Sequence, residues 1–395
     1  MSFKKPEKMD FATQCIHAGQ YPDPATGAVN VPIYANSTFA QSAPGEHQGY
    51  VYGRGHNPTR HAFERAMAAL EEGHAAYAFG SGLAAMDAIL DLLPSGAHMI
   101  ACDDLYGGSY RLFERVRKGA TGLDISYVDM SDISAIEKAL RPDTKMIWME
   151  TPTNPLLKII DIARVAELAR KKNILSVVDN TFATPRLQKP LTLGADIVVH
   201  SITKYIGGHS DLIGGVAVAS DREICDRLKF IQNATGGILG PFESFLALRG
   251  VKTLDVRMER HCKSTEKIAH WLRSHKAVEK VYYPGFDDHP GHTIAKRQMQ
   301  GFGGMISAVV RGNLAQTAAM LSACRLFTLA ESLGGVESLI EHPAIMTHAS
   351  IPVEQRKALG IDDGLIRLSV GIESSDDLIH DLDQAFSQMQ KKSAA

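Results

Sequence analysis

Between about residues 75 and 220 the chain alternates short apolar runs with amphipathic stretches. The runs are AAYAF (75–79), HMIAC (98–102), LDISYV (123–128), KMIWM (145–149), ILSVV (174–178), ADIVV (195–199) and GVAVA (215–219). Several carry no polar alternation, the pattern of strands covered on both faces. Helical segments such as LAAMDAILDLL (83–93) and IARVAELARKK (162–172) lie between them. This order predicts βαβ units and a mainly parallel sheet in an α/β domain.

The flanks differ. Residues 1–55 are rich in Pro, Gly, Asn and Tyr and have little periodicity. So long an irregular segment points to a functional loop or an arm gripping a neighbouring subunit. Beyond about residue 250, helical segments (256–274, 314–323, 376–390) alternate with strand-like AVEKVYY (277–283), GGMISAVV (303–310) and LIRLSVGI (365–372). That is an α+β pattern. The chain therefore divides into an arm over 1–55, an α/β domain over 56–250 and a smaller α+β domain over 251–395. The length of 395 residues, more than one core usually organises, agrees with that division.

Composition narrows the function classes. A net charge of -2 gives no long-range pull toward nucleic acid or an anionic membrane. The N-terminal MSFKKPEKMDFAT lacks the apolar core of a secretory signal, and no apolar run approaches a membrane span. Cys15, Cys102, Cys225, Cys262 and Cys324 are scattered, odd in number and never in C-x-x-C spacing. They argue against a disulfide framework and a zinc cluster, so no metal is expected. The expected setting is a reducing, cytoplasmic one, with the thiols buried and inert.

Ligands of open parallel sheets bind beyond the carboxyl ends of the strands, so the residues after each apolar run carry the chemistry. After AAYAF comes GSGLAAM (80–86), a glycine turn entering a helix: either a plain tight turn or a phosphate site at a helix N-terminus. After HMIAC comes DDLYGGSYR (103–111), where Tyr106 is either a packed aromatic or a stacking platform for a planar cofactor. ETPTNP (150–155) is an ordered turn that holds Asn154 at a strand end. In DNTFATP (179–185), Asp179 either caps a helix or holds a cationic ring nitrogen.

The stretch HSITKYIGGHSD (200–211) offers two hydroxyls, Ser201 and Thr203, to a phosphate, and then Lys204. A lysine held near cationic or apolar groups becomes a competent amine nucleophile. Phosphate, flat ring with a basic nitrogen, and a carbonyl that condenses with an amine are together the features of pyridoxal 5′-phosphate (PLP).

SITKYIGGHSD, METPTNP, VDNTFATP, YGGSYRLF, GRGHNPTR and ESLGGVESLIEHPAIMTH resemble the PLP-dependent Cys/Met-metabolism (transsulfuration) enzymes, in order and over about residues 11–390. The resemblance implies PLP-dependent transferase fold type I, aspartate-aminotransferase-like, with a mainly parallel seven-stranded sheet and a smaller C-terminal domain. It implies that Lys204 forms the Schiff base and moves protons, that Asp179 pairs with the pyridinium, and that Tyr106 stacks on the ring. Gly82, Leu83, Ser201 and Thr203 would hold the phosphate, with Asn154 near the ring hydroxyl and Thr181 close by. Tyr52 and Arg54 would reach the phosphate from a neighbouring subunit, making the dimer the catalytic unit and a homotetramer the usual assembly. Arg367 would clamp the substrate α-carboxylate, its plain alternative being an edge-of-strand arginine. Ser332 would position the lysine, while Glu331, Arg111 and Asn233 would line the rest of the amino-acid substrate's pocket.

For activity the resemblance implies γ-elimination of L-cystathionine to L-cysteine, 2-oxobutanoate and ammonia. The alternative is γ-replacement of an O-acyl-homoserine by cysteine, with β-cleavage as a side reaction. Gly108 departs from the cysteine of methionine γ-lyases, and Val51 stands where cystathionine-handling relatives usually have an acid.

Overall fold

Each of the seven apolar runs forms a strand: β1 Ala75–Phe79, β2 His98–Cys102, β3 Asp124–Val128, β4 Thr144–Glu150, β5 Leu175–Asp179, β6 Ile197–Ser201 and β7 Gly215–Ala219. The computed structural model describes residues 9–349 and 352–391. The strands make one sheet in the order β1-β7-β6-β5-β4-β2-β3. β7 runs antiparallel to both β1 and β6, and every other pair is parallel.

The missing polar alternation has a direct cause. Successive side chains point to opposite faces, and here both faces are covered. Ile197 and Val199 of β6 enter one core and Val198 enters the other. Ala217 and Ala219 of β7 join the first core, Val216 and Val218 the second. Trp148, fully buried in β4, meets the edge of Phe113 with ring centroids 5.3 Å apart.

A second sheet has five strands: β8 Val278–Tyr282, β9 Met305–Val310, β10 Thr328–Leu329, β11 Leu339–Glu341 and β12 Leu365–Ser369. Its order is β10-β11-β12-β9-β8. Ile306, Ala308, Ile340, Ile366 and Leu368 build its core with Leu378, Leu382 and Phe386 of the helix Ser375–Lys391. The helix Leu254–Ser274 joins the two halves. Leu254 and Met258 at its start pack into the core that holds Val198 and Val216, and Ile268 and Leu272 near its end pack into the core of the second sheet.

Within the segment 1–55, whose first eight residues lie outside the described residues, one helix packs on this chain. Helix α1, Phe11–His17, packs on its own chain against helix α2, Pro58–Leu70, and against Leu254–Ser274. Its Cys15 is fully buried. Asn57 caps α2, its side chain accepting from Thr59 N and Arg60 N, with Pro58 at the first helical position. The stretch between these helices contributes only isolated bridges such as Thr38 to Tyr52. It leaves Tyr21, Val29, Val51 and Tyr52 exposed. Among the described residues no helix is long and apolar enough to cross a membrane.

Candidate active site

Lys204 stands in the turn after β6, and its Nζ lies 2.6 Å from Ser332 Oγ. Burial, helped by the Arg367 guanidinium, lowers its pKa to about 8, while Glu341 and Glu331 pull the other way. The turn is pinned from behind. Arg257 donates from Nη1 to Tyr205 O at 2.6 Å and from Nη2 to Gly250 O at 2.8 Å. Gly208 has φ +72°, and a Cβ there would lie 2.2 Å from Arg257 Nη1. Both the left-handed backbone and the guanidinium require glycine at this position.

Asp179 ends β5 directly opposite Glu150, the last residue of β4. Both are buried. Thr181 N donates to Asp179 Oδ1 at 3.0 Å. Burial raises the pKa of both acids, and the proximity of Asp179 raises that of Glu150 further. Among the described residues no ion pair is formed by Asp179, so a cationic ring nitrogen would supply the counter-charge that its burial demands.

The phosphate end is built by close approach. Helix α3, Gly82–Leu90, begins against the end of β6: a Cβ on Gly82 would lie 2.9 Å from Ser201 Cβ. Ser81 caps the helix, accepting from Ala84 N at 3.0 Å. The amides of Gly82 and Leu83 belong to the first turn and have no intrahelical acceptor, and the hydroxyls of Ser201 and Thr203 share their wall. Thr181 Oγ1 accepts from Ser201 N at 2.9 Å and so fixes the β6 end.

Arg367 is held opposite, on β12. It donates from Nη1 to Asn154 Oδ1 at 2.7 Å and from Nη2 to Ser332 O at 2.9 Å. Ser332 is a non-glycine residue at φ +98°, a conformation that costs about 1–3 kcal/mol and persists only where its surroundings enforce it. Gly334 N donates to Ser369 Oγ at 2.8 Å and anchors the segment to β12.

Tyr106 precedes helix α4, Gly107–Arg111, and its backbone N donates to Glu150 Oε2 at 3.0 Å. A Cβ on Gly108 would lie 2.2 Å from Tyr106 Cε1, so a cysteine at 108 would force the ring to move.

These groups line one cavity of about 320 Å³, a size suited to a small ligand. Lys204, Asp179, Tyr106, Gly82, Leu83, Ser201, Thr203, Asn154, Thr181, Glu331, Ser332 and Arg367 all border it. Larger cavities of about 740 and 1060 Å³ exist, but neither gathers the amine, the paired acids and the helix start.

Four expected residues do not border it. Tyr52, Arg54 and Asn233 form an exposed cluster of their own, with Arg54 Nε donating to Asn233 Oδ1 at 3.3 Å and Arg54 Cζ 5.1 Å from the Tyr52 ring centroid. Arg111 is exposed at the end of α4. Conversely, Glu150 lines the cavity, and Glu341 pairs with Arg367 although sequence reasoning passed over both. Glu150 carries the same signal as Asp179, an acid straight after an apolar run.

The residues fit PLP: a pKa-depressed lysine amine, a buried acid with no ion pair among the described residues, and a helix start with adjacent hydroxyls. Residues 12–387 match the family model described as Cys/Met metabolism PLP-dependent enzyme. A cystathionine beta-lyase of Coxiella burnetii is 58% identical over 98% of this chain and 100% of its own. A cystathionine gamma-lyase of Bacillus subtilis is 54% identical over 94% of this chain and 98% of its own. The crystal structure of cystathionine gamma-lyase from Lactobacillus plantarum complexed with L-serine superposes with a TM-score of 0.94 at 50% identity, covering 97% of this chain and 100% of that one. With the motifs, the cavity and these similarities in agreement, the chain belongs to the PLP-dependent enzymes of Cys/Met metabolism.

Proposed function

We propose that this protein cleaves L-cystathionine by γ-elimination, giving L-cysteine, 2-oxobutanoate and ammonia, on an aspartate-aminotransferase-like scaffold of fold type I. The reading includes a catalytic dimer, two of which form a homotetramer in the cytoplasm. Tyr52 and Arg54 would complete the phosphate site of the adjacent chain.

PLP, when bound, supplies a carbonyl that condenses with the substrate amine and an electron sink conjugated to Cα. The chain's own groups do the rest. Arg367, steadied by Asn154, holds the α-carboxylate. Lys204 Nζ, largely neutral above about pH 8, takes the Cα proton, hands it on to the conjugated system so that the amine is free again, and then takes a Cβ proton, with Ser332 Oγ fixing its direction. The Tyr106 phenol assists departure of cysteine from Cγ. Uptake of water and loss of ammonia from the four-carbon remainder give 2-oxobutanoate.

The choice of bond rests on the resemblance, in which Glu331 matches a glutamate typical of γ-lyases and γ-synthases. Glu331 borders the cavity beside Ser332, and its charge acts on the reacting Lys204. The competing reading is β-cleavage to homocysteine, pyruvate and ammonia, favoured by the name of the Coxiella burnetii relative. The test is the keto acid that purified, PLP-loaded protein releases from cystathionine. Mainly 2-oxobutanoate supports γ-cleavage, and mainly pyruvate replaces it with β-cleavage. If neither forms, an O-acyl-homoserine with cysteine is the next substrate pair, testing γ-replacement.

A further inference from the structure

A carboxylate already sits on the arginine that is expected to receive one. Glu341 of β11 and Arg367 of β12 are direct cross-strand partners. Glu341 Oε1 lies 2.9 Å from Arg367 Nη2, and both side chains are buried almost completely. Thr347 Oγ1 donates to the same Oε1 at 2.9 Å, tying the acid to the segment that follows β11. One residue on, His348 Nε2 meets Asn154 O at 3.1 Å, steadying the residue that receives Arg367 Nη1. The motif IEHPAIMTH (340–348) thus braces the guanidinium and its amide partner from one side.

A buried guanidinium without a counter-charge is costly, and it turns toward whatever acid it can reach. Glu150 and Glu331 border the same cavity, and Arg367 acts electrostatically on Glu150. We propose that Glu341 is the positioning residue of the carboxylate clamp. It holds the Arg367 guanidinium in its receiving orientation and keeps it from the acids of the cavity, while Thr347 holds Glu341. The proposal rests on the assignment of Arg367 as the α-carboxylate site, and it is independent of which carbon–sulfur bond breaks.

The experiment uses holoenzyme and two ligands with no leaving group, L-alanine and ethylamine, which differ by the carboxylate alone. Binding is followed through the absorbance of the bound cofactor. Glu341→Ala is expected to weaken L-alanine about tenfold or more and to change ethylamine little. Glu341→Gln keeps a carbonyl oxygen for Nη2 and for Thr347 but not the counter-charge, and it should recover part of that loss. Equal weakening of both ligands, an unchanged affinity for L-alanine, or a Gln variant as weak as Ala would each overturn the proposal. If Glu341→Ala does not retain PLP, Thr347→Val carries the test with a smaller loss confined to L-alanine, and an unchanged affinity in that variant overturns it. Arg367→Ala separates the two levels: normal L-alanine binding there would mean that the clamp assignment itself has failed.

Discussion

Ser332 brings its hydroxyl 2.6 Å from Lys204 Nζ while its backbone is held at φ +98° and its carbonyl accepts from Arg367 Nη2 at 2.9 Å. One strained residue therefore contacts both the amine and the guanidinium, which the proposed function makes the proton carrier and the carboxylate clamp. Ser332→Ala keeps the segment but removes the hydroxyl. We expect kcat to fall about tenfold or more, because a misdirected general base loses part of a contribution of roughly 10²–10⁴. KM should move less, and steady-state kinetics on cystathionine checks the split.

The depressed pKa of Lys204 predicts how the apoprotein takes up its cofactor. Burial disfavours the charged amine, so its pKa falls and the neutral, reactive fraction at a given pH rises. With a pKa of about 8, the rate of PLP attachment should climb about tenfold from pH 7 to 9 and then flatten. An ordinary lysine would give roughly a hundredfold climb over that interval with no flattening. Stopped-flow absorbance across that range decides between the two.

Asp179 predicts a cofactor effect rather than a folding effect. Asp179→Asn preserves shape and the acceptor for Thr181 N, but it removes the charge that would face a ring nitrogen. Losing one partner of a buried pair costs about 3 kcal/mol or more, so PLP should dissociate roughly a hundredfold more readily. Equilibrium dialysis of the variant measures it, and unchanged retention would remove Asp179 from that role.

Tyr52 and Arg54 border no part of this chain's own cavity, and a shared site predicts complementation. Lys204→Ala and the Tyr52→Ala/Arg54→Ala double variant should each be inactive alone. After subunit exchange, about a quarter of sites would combine two good halves, because half of the dimers are mixed and one site in each is intact. Recovery near that level supports the shared site. Proven exchange with no recovery contradicts it.

Much of this was legible because one rule works at parallel strand ends: a short apolar run finishes, and the next residues line the cavity. Lys204, Asp179, Asn154 and Tyr106 all follow such runs. Glu150 obeys the same rule, but inside ETPTNP it read as part of a turn. β10 and β11 hold two and three residues, too few for any periodicity to show, and Glu341 was missed with them. Its burial is intelligible only when Arg367 is seen across the strand pair. Helix α1 escaped notice because seven residues with a single fully buried side chain give no amphipathic signal. Arg111 and Asn233 match family positions, yet the path of one chain leaves both exposed.

The central claim is that Lys204 carries the cofactor. The most direct measurement is borohydride reduction of the PLP-loaded protein, followed by proteolysis and mass mapping of the modified peptide. The account predicts one reduced pyridoxyl group per chain, on Lys204. A label on another lysine, or none on protein that retains PLP, would contradict it.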